Sequence, residues 1–170
     1  MEFSEVVRSR YSVRSYKQEP VPEAVLNEVF EAARLAPTAV NRQPFQLVAV
    51  HTAGREEELK RIYGRDWFVQ APMVVAMCAL PGEAWSRGDG HNYAWVDATI
   101  AMDHLILAAT NAGLGTCWIA AFDPAAAREV LGLPEGVEPV AFTPLGYPAG
   151  NPPASRRRKA LSELVRWEKW

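Results

Sequence analysis

The sequence has few of the features that mark secreted, membrane or disulfide-linked proteins. It contains two cysteines among 170 residues, Cys78 and Cys117, which lie far apart and outside any CxxC pair. That usage predicts buried thiols in a reducing compartment. The charged beginning has no apolar signal-peptide core, and Asp97, Asp103 and His104 interrupt the longest apolar stretch before it reaches the length of a membrane span. We therefore expect a cytoplasmic protein that makes no contact with membranes.

An excess of basic charge is also missing. Eighteen lysines and arginines stand against twenty acidic residues, which gives a net charge of −2 with neutral histidines. Proteins that bind nucleic acids generally carry a basic excess over the whole domain, and the basic run at residues 156–159 is too short to supply one. The charge balance argues against a nucleic-acid partner.

The patterns of a dinucleotide fold and of a metal centre are absent as well. No GxGxxG follows a strand, and Gly113-Leu114-Gly115 ends a helix instead of opening one, so a pyridine nucleotide has no stable Rossmann site. His91, Asp97 and His104 come nearest to a metal-ligand set. Polar residues on a wide apolar helix face are more often interface hydrogen-bonding groups than ligands, so no metal is expected.

What the chain does contain is an alternation of helical and extended patterns. Apolar spacing predicts helices over residues 23–36, 54–64 and 92–112 and from the N-cap Asp123 onwards. β-rich runs predict strands over residues 45–50, 73–80, 116–120 and 138–147; the second is nearly all apolar and therefore central, and the last is broken by Pro144. Non-crossover links between these elements favour an α+β fold with a mixed sheet over a doubly wound one.

Two stretches carry more apolar surface than one small domain covers. The helix over 92–112 is apolar over too wide an arc for a one-sided surface helix, so it is buried on most sides or packs against another subunit. The tail begins with a Pro-rich spacer and ends in apolar residues of the kind that dock elsewhere: Leu161, Leu164, Val165, Trp167 and Trp170. We therefore expect a domain over residues 1–150 and a C-terminal arm over residues 151–170 that packs on the partner of a homodimer.

The segment Arg10-Tyr11-Ser12-Val13-Arg14 is the first candidate binding element. In an extended chain, residues 10, 12 and 14 lie on one side. Two guanidinium groups flanking a hydroxyl offer several donors to a phosphate or a polyhydroxyl chain. The alternative is a solvated basic strand beside acidic Glu5 and Glu19.

The second candidate is the helix-to-strand connection Pro37–Phe45, which reads PTAVNRQPF. Two prolines and two amides in a short connector indicate a rigid loop that presents hydrogen-bonding groups. Asn and Gln side chains donate and accept at once, which matches the mixed edge of a heterocycle. The alternative is an Asn41 that only holds its own loop together.

Taken in order, R-x-S-x-R, P-T-x-x-N-x-Q-P-F, GLGTCWIAAFDP and the GYP at residues 146–148 resemble the nitroreductase family of FMN-dependent oxidoreductases. The resemblance extends from about Val6 to Leu164. It implies a mixed, largely antiparallel sheet flanked by helices, in an intertwined homodimer with flavin at the subunit interface and a swapped C-terminal arm. It also implies FMN as the bound cofactor and NADH or NADPH as a transient hydride donor.

The resemblance assigns cofactor contacts to four parts of the chain. The basic segment would hold the phosphate, ribityl and pyrimidine side of FMN, through Arg10, Ser12 and Arg14, with Tyr11 contributing through its backbone. The connection after the first long helix would pack on the isoalloxazine, partly from the partner subunit, through Pro37, Thr38, Asn41 and Gln43. Backbone N–H groups offered to flavin N5 and O4 would come from Ile119, Ala120 and Ala121. A basic pair near the end would reach the phosphate, through Arg157 and Lys159, with the register inside residues 156–159 open by one position.

This chain departs from the family pattern in ways that bear on the pocket. Ala120-Ala121 stands where an acidic residue or glycine followed by glycine is common, Thr38 and Phe45 replace Ser and Trp, and the stretch from Tyr63 to Pro72 is short. The short middle favours an open pocket without a lid.

The implied activity is a ping-pong reduction of nitroaromatics, quinones or similar conjugated acceptors. No catalytic side chain is expected, because hydride moves at flavin N5 and the protein only orients and tunes the cofactor. Two alternatives stay open: a flavin-dependent dehydrogenase of a small molecule or peptide, and a non-catalytic flavin-binding protein.

Overall fold

A four-stranded antiparallel sheet forms the centre of the molecule. The computed structural model describes residues 1–153 and 157–170. The strands are β1 (Phe45–His51), β2 (Met73–Ala79), β3 (Gly115–Thr116) and β4 (Glu138–Gly146), in the spatial order β1-β2-β4-β3. All neighbouring strands pair antiparallel, and one isolated parallel bridge joins Ser12 to Thr116. The predicted α+β class with a mixed, largely antiparallel sheet is confirmed.

Six helices accompany the sheet in the described ranges. They are α1 (Phe3–Ser9), α2 (Glu23–Arg34), α3 (Glu56–Ile62), α4 (Ala94–Asn111), α5 (Pro124–Leu131) and α6 (Leu161–Leu164). The four predicted helices are present with ends shifted by a few residues. The first helix was not predicted because only Val6 in it is buried, so it has no apolar period. None of the helices within residues 1–153 and 157–170 has the length and apolar content needed to cross a membrane.

The central position of β2 follows from its sequence. All seven of its residues are buried, because helices cover both faces of the sheet. Alternate side chains such as Val75 and Met77 join the core formed with α2 and α4, whereas Val74 and Ala76 join the core formed with α3 and α5. A strand with two buried faces needs a continuous apolar run, and the prediction of a central strand is confirmed.

Two sequence predictions for the other edge of the sheet are wrong. The expected strand over 116–120 shrinks to Gly115–Thr116, followed by a single bridge between Ile119 and Phe142. Pro144 does not break β4, which continues from Glu138 to Gly146. Phe142 and Ile119 exchange two backbone hydrogen bonds. The backbone nitrogen of Pro144, two residues further on, faces the same side of β4. Strand pairing on that side is irregular, so the N–H that proline lacks is tolerated there.

Candidate functional site

The basic segment near the N-terminus lies against the edge strand of the sheet. After α1 ends, the chain is extended, and the N–H of Val13 donates to the carbonyl of Thr116 at 2.8 Å. Val13 is buried while its neighbours Ser12 and Arg14 are exposed. Val13 therefore anchors the segment, and the exposed Ser12 and Arg14 on either side of it follow the alternation of an extended chain.

Gly115 makes this close approach possible. A Cβ at position 115 would stand 2.7 Å from Cγ2 and 2.9 Å from Cβ of Val13. The Val13 side chain is β-branched and buried, so it has no room to move aside. Any larger residue at 115 would push the basic segment off β3.

Two of the cavities that border the basic segment include Ser12. A groove of about 330 Å³ lies between residues 11–15 and the chain at Gly150, Asn151 and Pro153. A smaller cavity of about 170 Å³ includes Arg10 and Ser12 on one side and Trp118 on the other. The fold thus brings the basic segment and the start of the 118–121 turn together around the same space.

The Arg14 and Tyr11 side chains have contacts that fix their positions. The Arg14 guanidinium carbon lies 5.9 Å from the centroid of the Trp67 ring, within cation–π range. The Tyr11 hydroxyl donates to the carbonyl of Gly150 at 3.3 Å. These contacts hold the two side chains at the walls of the larger groove.

The connection between α2 and β1 has an unusual backbone. Val40, Asn41 and Gln43 all have left-handed φ angles, of 46°, 57° and 53°. Left-handed conformations of non-glycine residues each cost about 1–3 kcal/mol and concentrate at binding sites. We call residues 37–43 the left-handed loop.

Hydrogen bonds inside the left-handed loop support this conformation. The N–H of Gln43 donates to the Thr38 hydroxyl at 3.0 Å, and the Gln43 amide donates to the Asn41 side-chain oxygen at 3.3 Å. Asn41 therefore does help to hold its own loop, as one sequence reading allowed. Pro37, Asn41 and Gln43 nevertheless remain exposed, and the amide nitrogen of Asn41 makes no hydrogen bond within the described residues.

Asp97 is a component of this region that sequence reasoning assigned to other roles. It lies in the first turn of α4 and is 1% exposed. Its Oδ1 accepts from the N–H of Ala39 in the left-handed loop at 3.0 Å. The sequence signal is a carboxylate within an otherwise apolar helix start, a pattern that also fits a metal ligand or an interface group.

The turn after β3 corrects one predicted contact. The N–H of Ile119 donates to the carbonyl of Phe142 at 2.9 Å, so it is used by the sheet and is not available to a flavin. Ala120 and Ala121 are exposed, and within residues 1–153 and 157–170 their N–H groups donate to no acceptor. Two of the three predicted backbone donors therefore remain candidates.

The C-terminal basic residues lie on an exposed arm of the single chain. Arg157 and Lys159 are exposed, as is Arg158 of the alternative register, whereas Arg156 lies outside the described residues. The apolar side chains of the arm are exposed too: Leu161, Leu164, Val165, Trp167 and Trp170. Within one chain, the arm contributes Asn151 and Pro153 to the larger groove, and none of its described residues lines the smaller cavity beside Arg10.

The two cysteines lack the character of nucleophiles. Burial raises the pKa of the Cys78 thiol to about 11. Burial also raises the pKa of the Cys117 thiol, and the nearby Arg14 and the Ser12 hydroxyl oppose that shift. Both groups are thus protonated thiols near neutral pH.

Comparison with known proteins agrees with the fold and the motifs. The model of the nitroreductase family matches residues 7–67 and 52–147, which together cover most of the chain. The chain belongs to the nitroreductase family. It is an FMN-dependent NAD(P)H oxidoreductase, so the enzyme class and cofactors implied by the resemblance are confirmed.

Individual relatives are similar over two thirds or more of their own length. An NADH dehydrogenase of Thermus thermophilus is 31% identical, with 93% of this chain and 92% of the relative aligned. An FMN reductase (NAD(P)H) of Bacillus subtilis is also 31% identical, over 86% of this chain and 67% of that protein. The crystal structure of a nitroreductase family protein from Clostridium difficile superposes with a TM-score of 0.89 at 32% identity, covering 100% of both chains.

Proposed function

We propose that this nitroreductase reduces nitroaromatics, quinones or similar conjugated acceptors with electrons from NADH or NADPH, in a ping-pong reaction at an FMN bound between two subunits. The observation that carries the proposal is that Arg10, Ser12 and Trp118, which begins the 118–121 turn, line one cavity. When bound, FMN supplies hydride chemistry at N5. The residues of this chain would bind and orient the cofactor.

The basic segment is suited to the phosphate end of FMN. Arg10 and Arg14 bring positive charge to either side of the Ser12 hydroxyl, and charge-assisted hydrogen bonds to phosphate are stronger than neutral ones. The groove next to Tyr11 gives the ribityl chain space beside the same residues. Arg157 and Lys159 would complete the phosphate site from the C-terminal arm.

The ring of FMN requires donors at one edge and a firm surface against one face. Ala120 and Ala121 offer two exposed N–H groups, and a buried Ile119 fixes the start of their turn. The left-handed loop presents Pro37, Thr38, Asn41 and Gln43 as a rigid surface, partly from the partner subunit. Because the donors are backbone groups, the methyl groups of the two alanines do not remove them.

Exposed apolar surface on the single chain supports the proposed homodimer. Trp95 and Val96 on α4 are exposed in the single chain, at 48% and 38%. We propose that residues 1–150 form the FMN-binding domain and that residues 151–170 form an arm that crosses to the partner subunit. The arm would cover its own apolar side chains there and bring Arg157 and Lys159 to the partner's phosphate site.

Steady-state kinetics tests the ping-pong order. We expect parallel double-reciprocal lines when NADH or NADPH is varied at several fixed concentrations of a nitroaromatic or a quinone, because donor and acceptor use the same pocket in turn. Intersecting lines would contradict the shared pocket. Reduction of the bound flavin by a small molecule or peptide in the absence of NAD(P)H would instead favour a dehydrogenase.

A second prediction concerns side chains that hydride transfer does not need. Cys117→Ser, His91→Gln and His104→Gln should leave the rate of flavin reduction by NAD(P)H within about tenfold, which corresponds to a barrier change of about 1.4 kcal/mol. The buried, protonated Cys117 thiol is not poised to react. The measurement is stopped-flow reduction of variants matched for flavin content, and a roughly thousandfold loss in folded Cys117→Ser would reveal a catalytic thiol.

A further inference from the structure

We propose that Asp97 is a positioning residue for the cofactor: its buried carboxylate fixes the left-handed loop in the conformation that meets the flavin ring. This inference rests on the proposed contact between that loop and the isoalloxazine. Asp97 acts on the loop through its backbone: Oδ1 accepts a hydrogen bond from the N–H of Ala39 at 3.0 Å.

Asp97 is held where it can act as an anchor. It belongs to the first turn of α4, where a negative charge is favoured by the helix dipole. Its helix neighbours Ala94, Ala98 and Ala101 are completely buried, so this part of α4 packs closely against the core and does not move independently. The carboxylate therefore has a fixed position relative to the sheet.

The other hydrogen bonds of the loop do not replace this anchor. The bonds from Gln43 to Thr38 and Asn41 connect the loop only to itself. The Arg42 guanidinium bonds outward to the carbonyl of Ala84 at 3.0 Å, but Arg42 is an exposed side chain with many rotamers. Among the described residues, Asp97 is the buried side chain that ties the strained backbone to the core.

The second oxygen of Asp97 points to the same role. Oδ2 is buried and has no hydrogen-bond partner within the described residues. A buried carboxylate oxygen without a partner destabilises the fold, so an apolar residue would serve better if α4 required only packing. The carboxylate is useful at this position because Oδ1 restrains Ala39.

The test compares variants that differ in the acceptor at position 97. Asp97→Asn keeps an oxygen for the Ala39 N–H, whereas Asp97→Leu has a similar size and no acceptor, and Asp97→Ala removes the group altogether. Met102→Ala, on the same helix and also buried, is the control for general loosening of α4. The full-length proteins are assayed for hydrogen exchange of residues 37–43 and for the affinities of both FMN and riboflavin.

We expect faster exchange in the left-handed loop for the Leu and Ala variants, with wild-type exchange for Asn and for the Met102 control. We expect the affinities of FMN and riboflavin to fall by the same factor, about tenfold, because one charge-assisted hydrogen bond is lost and the loop meets the ring that both ligands share. Asn should stay within about threefold of wild type. If the Ala variant does not fold, the Asn and Leu pair carries the comparison.

The outcomes separate this inference from the proposed function. Unchanged exchange in the Leu variant would overturn the anchor, even with FMN bound normally. Faster exchange with unchanged affinity for both flavins would overturn the positioning role. Loss confined to FMN would also overturn it, because that pattern belongs to the phosphate site. A wild-type protein that binds neither flavin would contradict the proposed function itself, while the exchange measurement would still report on the Ala39 bond.

Discussion

Deletion of residues 151–170 is expected to abolish FMN binding and to leave a chain that aggregates or unfolds. The arm carries five large apolar side chains that are exposed in the single chain, among them Trp167 at 83% and Leu161 at 76%. Covering each such side chain contributes roughly 1.5–3 kcal/mol, and dimers built on contacts of this kind often have no stable monomer. The truncated chain loses both this packing and the proposed basic contacts to phosphate.

Sedimentation and flavin content measure the effect of this deletion. A matched full-length variant, Arg157→Gln with Lys159→Gln, should remain dimeric and lose affinity for FMN only, because it retains the apolar side chains of the arm. A truncated protein that sediments as a stable monomer with FMN still bound would contradict both the crossing arm and the interface site.

Arg10→Ala should weaken the binding of FMN far more than that of riboflavin, which lacks the phosphate. A charge-assisted hydrogen bond contributes about 1.5–3 kcal/mol, so we expect a loss of roughly tenfold to a hundredfold for FMN and little change for riboflavin. Arg10 borders the cavity that Ser12 and Trp118 also line, which is why we propose it as a phosphate ligand.

The two affinities are measured by titration of the flavin-depleted full-length protein. Arg8→Ala is the matched control, since Arg8 is an exposed arginine on the neighbouring turn of α1 and lines neither cavity. Equal losses for both flavins in Arg10→Ala would mean that Arg10 does not touch the phosphate. A loss in Arg8→Ala of the same size would indicate a diffuse charge effect.

The sequence predicted the parts of the fold that have a strong local period. In β2, α2 and α4, entire faces of the element are buried. Each therefore shows a regular apolar pattern over many residues, which the sequence reveals. The first helix has one buried residue, Val6, and so gives no comparable signal. Ile119 pairs with Phe142, which lies far away in the sequence. No local pattern indicates that the N–H of Ile119 donates to this partner.

Some features of the candidate site could likewise be predicted from local sequence patterns, and others could not. The alternation around Val13 could be predicted because it depends only on the period of an extended chain. The role of Asp97 could not be predicted, because its partner Ala39 lies 58 residues earlier and the bond goes to a backbone N–H, not to a recognisable side chain. The proposed role of the exposed Arg157 and Lys159 needs a second subunit, which the resemblance implies and local patterns do not encode.

The most direct test of the account is the absorbance spectrum of the purified full-length protein, recorded without oxygen before and after addition of NADH or NADPH. We predict the bands of oxidised FMN, their loss when the nucleotide is added, and their return when a nitroaromatic or a quinone follows. A colourless protein that takes up no FMN on reconstitution, or bound FMN that neither NADH nor NADPH reduces, would contradict it.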